Sequence, residues 1–282
     1  MQSLSAYRGQ RPAWCPGCGN FGILEAFKRA MLELAIKPHE FLIVSGIGQA
    51  GKFPHYLRCN TFNGLHGRTL PVATGIRLAN HELPVFAVAG DGDCYGEGGN
   101  HLIHAIRRNV NIKLLVHDNQ VYGLTKGQAS PTSLEGMITK VQTYGVIAEP
   151  LNPVSLAISL DCSFVARAFA GDIEHLKEII KEAVRHKGFC LIDILQPCVT
   201  FNKINTYEWY RQRVYKLGGD YDPYNRYLAF QKSLEWGERI PIGIIFKHDR
   251  PVFEDRIPVL KEGPDVKRPP LTDIKPLLER FY

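Results

Sequence analysis

No apolar run in this 282-residue chain approaches the roughly 18 residues that a membrane-spanning helix needs. The first stretch, Met1 to Arg11, is polar and has no apolar signal region. Lys and Arg are scattered and nowhere form a block. The net charge of +6 therefore suits a phosphorylated ligand or an acidic partner better than nucleic acid. A G-x-G-x-x-G dinucleotide fingerprint is missing, which disfavours NAD. Internal repeats and low-complexity tracts are also missing. The seven cysteines are odd in number and follow no secretion signal, so a disulfide framework is disfavoured. These absences leave a soluble cytoplasmic protein as the expectation. Its length suits one large α/β domain, alone or with a substantial extension.

Several segments carry a clear period. Asn20 to Ala35 has apolar residues at Ile23, Leu24, Phe27, Met31 and Leu34, which is helical spacing. Asp172 to His186 is a second amphipathic helix, with Gly188 just past its end. Pro71 to Asn80 and Glu97 to Arg108 read as further helices. Phe41–Ser45, Pro84–Ala89, Ile112–His117, Ser163–Ala168 and Phe189–Leu195 are short, continuous apolar runs. Buried strands alternating with helices predict a parallel sheet with helices on both faces over residues 1–200. After Thr200 the pattern dissolves, with one strand-like run at Ile240 to Phe246. Residues 201–282 are expected to be a less regular extension that packs on the domain or on a partner subunit.

In open α/β sheets, ligands bind beyond the carboxyl ends of the strands. Two strands here end in polar turns, Gly90-Asp91-Gly92-Asp93 and Asp118-Asn119. The glycines let backbone amides approach phosphate oxygens. A carboxylate oxygen from Asp91 and an amide oxygen from Asn119 are hard ligands that suit Mg²⁺ shared with phosphates. Either turn alone is more often structural. Together, joined by one helix, they resemble the thiamine diphosphate motif, in which an Asn-terminated pair follows GDG by just under thirty residues. The first residue of that pair is usually Asn and is Asp118 here. The resemblance implies that the metal also takes the backbone carbonyl of Val121.

The turn Trp14-Cys15-Pro16-Gly17-Cys18-Gly19 holds a CxxC pair, a signal for a metal or redox centre. No strand precedes it, which argues against a thioredoxin-like role. Structural zinc usually takes two close pairs, and only one is present. Iron–sulfur cubanes also need four thiolates, with looser spacing for the last two. Cys198, just past a strand end, is the expected third ligand. Cys59, in the loop after the Phe41 strand, is the expected fourth. Cys162 and Cys190 lie in apolar surroundings and read as plain core residues. Cys94 is expected to line the cofactor pocket.

Trp14–Gly19, Gly64-Leu65-His66-Gly67-Arg68, Gly90–Asp93, Gly99-Asn100-His101 and Tyr122-Gly123-Leu124-Thr125-Lys126-Gly127-Gln128 occur in this order. Over residues 10 to 205 the chain resembles the β subunit of 2-oxoacid:ferredoxin oxidoreductases, nearest the 2-oxoglutarate type. The resemblance implies CoA-dependent oxidative decarboxylation, with electrons passing singly through a [4Fe–4S] cluster to ferredoxin. It also implies an α subunit that completes the thiamine site, so that this chain alone is inactive. Many relatives carry a cysteine in the GIG-x turn, which here reads Gly46-Ile47-Gly48-Gln49. Cys59, ten residues on, is inferred to replace it. Lys126 is placed to pair with a substrate carboxylate, and Leu124 and Lys126 are the expected discriminators of the acid. Lys52 could meet a carboxylate or a CoA phosphate, and His66 the cofactor phosphates. The alternative is a subunit of a non-redox thiamine decarboxylase, which has no use for these cysteines and would carry no iron.

Overall fold

The computed structural model describes residues 3–270 and 272–281. Its strands are β1 (Leu42–Ser45), β2 (Asn60–Asn63), β3 (Val85–Gly90), β4 (Ile112–Asp118), β5 (Val121–Tyr122), β6 (Gln128–Ala129), β7 (Phe164–Phe169), β8 (Cys190–Leu195), β9 (Val214–Lys216) and β10 (Ile240–Lys247). The helices used below are α1 (Asn20–Glu33), α2 (Thr69–Ala79), α3 (Gly99–Arg108), α4 (Pro153–Ser159), α5 (Ile173–Arg185), α6 (Tyr207–Arg211) and α7 (Arg226–Ser233). Eight strands form one sheet in the order β2-β1-β3-β4-β8-β7-β10-β9. Every pairing in it is parallel except that of β10 with β7.

The two-residue period of a strand sends alternate side chains to opposite faces. On one face Ile43, Phe86, Val88, Leu115, Ala166, Ile192 and Ile194 meet α1 and α5. On the other, Val44, Val85, Ala87, Leu114, Val116, Val165 and Leu191 meet α2, α3 and α4. The strands are therefore apolar on both sides, which explains their continuous hydrophobic runs. Asp172 caps α5 by accepting from the backbone amide of His175 at 3.1 Å, satisfying one of the donors a helix start leaves open.

Three elements escape the periodicity reading. β2 is polar and wholly exposed along its length, an edge strand held by backbone bonds to β1. β5 and β6 form a two-residue hairpin over the site, and α4 is only seven residues long. The region after Thr200 is more integrated than its composition suggests. β10 joins the main sheet against β7, β9 adds a parallel edge strand, and α7 packs on α4 and β10.

The tail is also fastened by a buried ion pair. Arg77 of α2 donates from Nε to Glu254 Oε1 at 2.7 Å, and its Nη1 donates to the Leu83 carbonyl at 2.9 Å. Glu254→Ala should leave the Arg77 charge buried and unmatched, lowering unfolding free energy by about 3–5 kcal/mol in denaturant titrations. The double variant Arg77→Met/Glu254→Met should recover most of that loss, because the desolvation cost goes with the charges.

Candidate active site

β3 and β4 are neighbours in register, with Gly90 opposite His117. Asp91 and Asn119 therefore leave the same edge of the sheet side by side. Asp91 is 1% exposed, and its Oδ2 accepts from Ser130 Oγ at 2.5 Å and Thr132 Oγ1 at 2.8 Å. Asn119 Oδ1 accepts from the Val121 amide at 3.0 Å, closing a turn that holds Gln120 at φ 61°. One lone pair of that amide oxygen stays available. The surrounding turns are built from glycine. A Cβ on Gly48 would meet no atom within 4 Å, and one on Gly90 would touch only Ala50 and the His117 carbonyl near that limit. This leaves a side-chain-free cradle beside two hard oxygen donors, which suits a diphosphate and its Mg²⁺. After Asp91 the chain winds one π-helical stretch, Gly92–Glu97, before α3, a geometry often found at functional sites.

Asp93 serves as an anchor. Its Oδ1 accepts from the Ile47 amide (3.1 Å), His66 Nδ1 (2.6 Å) and the Gly67 amide (2.9 Å), and its Oδ2 accepts from Thr69 Oγ1 at 3.1 Å. A carboxylate so fully engaged organises the loops around the cradle and has little capacity left for a cofactor. Gly46 must be glycine, because a Cβ there would come 1.8 Å from Asp93 Oδ2. His66 is half-exposed between Asp93 and Glu97, with Nε2 3.3 Å from Glu97 Oε2. It stands edge-on to Tyr122.

Thr132 Oγ1 lies 2.8 Å from Asp91 Oδ2 and also 2.7 Å from Asp118 Oδ1. One hydroxyl proton cannot serve both carboxyls. Burial, reinforced by the charges of Asp193 and Asp91, pushes the Asp118 carboxyl well above the usual range. Burial thus favours the neutral form of Asp118, a position where the more usual Asn is neutral too. Burial also pushes Asp91 up. Behind them lies a cavity of about 160 Å³ lined by Asp118, Gln120, Thr132, Arg167, Asp193 and Trp236. Arg167 is buried 3.7 Å from Asp193, and Tyr95 donates to Asp193 at 2.8 Å. Ser130, Thr132, Arg167 and Asp193 were not legible as site residues. The only local signal was a Ser-Pro-Thr-Ser turn and two charges inside apolar strands.

Cys15, Cys18 and Cys198 line one recess with Asn20, Gln49, Asn119 and Gln196. The CxxC turn is docked by Gly19 N on the Pro197 carbonyl (3.2 Å) and by Trp14 Nε1 on the Gln49 carbonyl (2.8 Å). Burial pushes the Cys18 thiol up to about 11, and Cys198 and Cys15 add to it. Among the described residues, three buried polar atoms around this recess have no partner: Asn20 Nδ2, Gln49 Oε1 and Gln196 Oε1. Among the described residues no three His, Cys, Asp or Glu side chains could chelate a single ion. A cluster, which offers each thiolate a separate iron, suits such a spread donor set better than zinc does.

Cys59 is not brought to this recess. It precedes Asn60, which pairs with Leu42 at the amino end of β1, and it lines a separate hollow with Ala6, Pro38, His39, Arg58 and Asn60. The polar strand β2, invisible to hydrophobic periodicity, carries it to the opposite edge of the sheet. Cys94 is 4% exposed and packs in the apolar cluster on the α2 and α3 face of the sheet, and burial with the nearby Asp93, Asp193 and Asp91 charges pushes its thiol up. Val121 is buried at the root of the β5–β6 hairpin, and Leu124 and Lys126 stand exposed on its turn. Lys126 has φ 85° and no ion pair within 4 Å among the described residues. Lys52 is half-buried on the short helix after the Gly46–Gln49 turn.

Thr132→Val should cost about 1–3 kcal/mol by taking a buried partner from Asp118 and leaving the Asp91 carboxylate oxygen to Ser130 alone. Asp118→Asn should leave stability at pH 7 at or above that of the parent, because it replaces a carboxyl whose charged form burial disfavours with a neutral group. For a carboxyl raised on folding, stability falls as pH climbs from about 3.9, its unfolded value, toward the folded one. Asp118→Asn should flatten that decline in melts of the metal-free chain.

Comparison with known proteins agrees with this geometry. Residues 46–194 match the family model of the thiamine pyrophosphate enzyme C-terminal TPP-binding domain. Residues 198–262 match the C-terminal region of the pyruvate ferredoxin oxidoreductase β subunit. The 2-oxoacid:ferredoxin oxidoreductase β subunit of a Sulfolobus species is 49% identical, over 90% of this chain and 88% of that one. That of Saccharolobus solfataricus is 46% identical over 94% and 95%. A solved 2-oxoglutarate:ferredoxin oxidoreductase from Magnetococcus marinus, with 2-oxoglutarate, coenzyme A and succinyl-CoA bound, superposes with a TM-score of 0.92. It is 35% identical, covering 99% of this chain and 96% of that one. A thiamine-type cradle, a cysteine recess beside it and relatives of nearly equal length converge on one assignment: the chain belongs to the β subunits of the 2-oxoacid:ferredoxin oxidoreductases.

Proposed function

We propose that this subunit, joined to an α subunit, carries out CoA-dependent oxidative decarboxylation of a 2-oxoacid, with 2-oxoglutarate as the preferred acid. The products are an acyl-CoA and CO₂, and electrons leave singly through an iron–sulfur cluster to ferredoxin. The observation that carries this reading is a shared wall: Asn119, a ligand candidate for Mg²⁺, lines the same recess as Cys15, Cys18 and Cys198. The complex is assigned to the cytoplasm. A non-redox decarboxylase would have no use for three thiols beside its metal loop.

In this reading Asp91, Asn119 and the Val121 carbonyl hold Mg²⁺, and Gly90 and Gly92 bring backbone amides to the diphosphate. The chemistry thiamine diphosphate supplies is a C2 carbanion for the keto carbon and a sink for the electrons of decarboxylation. Ser130 and Thr132 fix the Asp91 carboxylate, Asp93 and His66 fix the rim, and Lys126 meets the distal carboxylate of the acid. Leu124 shapes the acid's pocket, and Lys52 meets a carboxylate or a CoA phosphate.

The α subunit would close the cradle. Supporting this, Leu65, Leu124, Ile138, Val141, Tyr144 and Ile147 are exposed, more apolar surface than a lone subunit usually leaves in water. Residues 1–200 form the cofactor-holding part, and residues 201–282 pack on it and extend toward a partner.

Anaerobic co-purification with the α subunit should yield iron, sulfide and thiamine diphosphate together with CoA-dependent dye reduction. A complex without iron and without 2-oxoacid activity would sink the reading. Lys126→Ala should raise KM for 2-oxoglutarate by about 10–100-fold, the loss of one charge-assisted contact, while leaving cofactor content unchanged. Ile138→Glu/Tyr144→Glu should weaken α-subunit association in pull-downs without lowering the melting temperature of the isolated chain.

A further inference from the structure

We infer that the cluster in this chain is held by three thiolates, those of Cys15, Cys18 and Cys198, and that Gln49 presents its side-chain oxygen to the fourth iron. The inference rests on the cluster assigned above and deepens it. Neither Cys59 nor any other cysteine supplies a fourth thiolate.

The sheet itself argues against Cys59. β1 and β2 run parallel, and the recess lies beyond the carboxyl end of β1. Cys59 immediately precedes β2, beside the amino end of β1. Four strand residues separate the two edges, roughly 13 Å at about 3.3 Å each. Moving Cys59 to the recess would unzip β2 and empty the hollow beside His39 and Arg58. Cys162 and Cys190 are fully buried inside the core, and Cys94 lies in the α2–α3 cluster.

Gln49 sits where the fourth ligand is needed. It follows β1 at the carboxyl edge, on the turn Gly46–Gln49, and lines the recess with the three cysteines. The Trp14 indole holds its backbone carbonyl at 2.8 Å, tying this turn to the CxxC turn. Its Oε1 is buried and accepts from no group among the described residues, an arrangement that normally costs about 1–3 kcal/mol and calls for a partner. The other orphaned acceptor, Gln196 Oε1, belongs to a side chain already fastened through Nε2 to Pro197 O (2.8 Å) and Cys18 Sγ (3.4 Å). Asn20 Nδ2, the orphaned donor, suits a bridging sulfide. An amide oxygen is a hard, neutral ligand, whereas cluster iron favours soft thiolate. The iron facing Gln49 is therefore the labile one.

Ferricyanide supplies the test. Oxidation of [4Fe–4S]²⁺ to [3Fe–4S]⁺ releases one Fe²⁺, and one electron passes to ferricyanide. In the holo-complex with its α subunit, purified anaerobically, one equivalent of ferricyanide should convert the cluster. The EPR signal of an oxidised three-iron cluster should appear, with about three irons left per four sulfides. Gln49→Cys should supply the missing thiolate and abolish the conversion. Cys59→Ser should convert as the parent does. If Gln49→Cys gives no holo-complex, the parent and Cys59→Ser samples still decide. A parent cluster that keeps four irons through oxidation, or a Cys59→Ser complex that loses its cluster, overturns the inference while leaving the proposed activity standing. A complex with no iron in any preparation overturns both.

Discussion

The Asp93 carboxylate is the tie on which the site depends. Four protein donors converge on it, from the turn after β1, from the loop before α2 and from α2 itself. Parallel strands deliver their carboxyl ends to one edge, but they do not fix how the loops beyond that edge lie. One buried anion, accepting from two backbone amides, a hydroxyl and an imidazole, gathers three segments around the β3 turn. Gly46 and Gly67 are constrained by the same convergence, since a side chain at either would collide with Asp93 or Glu97.

A second economy of charge lies one layer deeper. Asp91, Asp118 and Asp193 are all buried, with Arg167 as the nearby cation. Three carboxylates could not all remain ionised in so dry a place. Sharing the Thr132 hydroxyl and the pressure of burial toward a neutral Asp118 ease that repulsion, and Arg167 and Tyr95 balance Asp193. Burial raises Asp91 as well, so a cation arriving from outside would answer a charge that the protein itself leaves poorly matched. On the neighbouring side His117, neutral because burial lowers it to about 3, joins Asn20 at 2.8 Å. That contact fastens the start of α1, just past Cys18, to the strand that ends at Asp118, next to Asn119.

The sheet, its parallel sense and its helices were legible because strands buried on both faces write continuous apolar runs. The Asp91/Asn119 pair and the CxxC turn were legible because their chemistry is local in sequence. What escaped was set by contacts distant along the chain. β2 is polar because it is an exposed edge, so its presence cannot be read from hydrophobicity. Without it, residues 46–68 look like one loop in which Cys59 could reach the recess. The anchoring role of Asp93 was hidden because its four donors come from segments 24 to 46 residues away. The π-helical winding that buries Cys94 leaves no sequence mark. The strand at Ile240 was visible, but its antiparallel seat beside β7 was not, since no period encodes a neighbour.

The hairpin turn carries a conflict that natural variation must negotiate. Lys126 occupies a left-handed backbone conformation, φ 85°, that glycine or asparagine would adopt with less strain. Selection for thermal robustness alone would drift this position toward those residues, whereas the role proposed for its ammonium opposes the drift. Laboratory evolution of this chain for heat tolerance should therefore be watched at this position first. A gain there would come at the cost of the contact proposed to choose the acid.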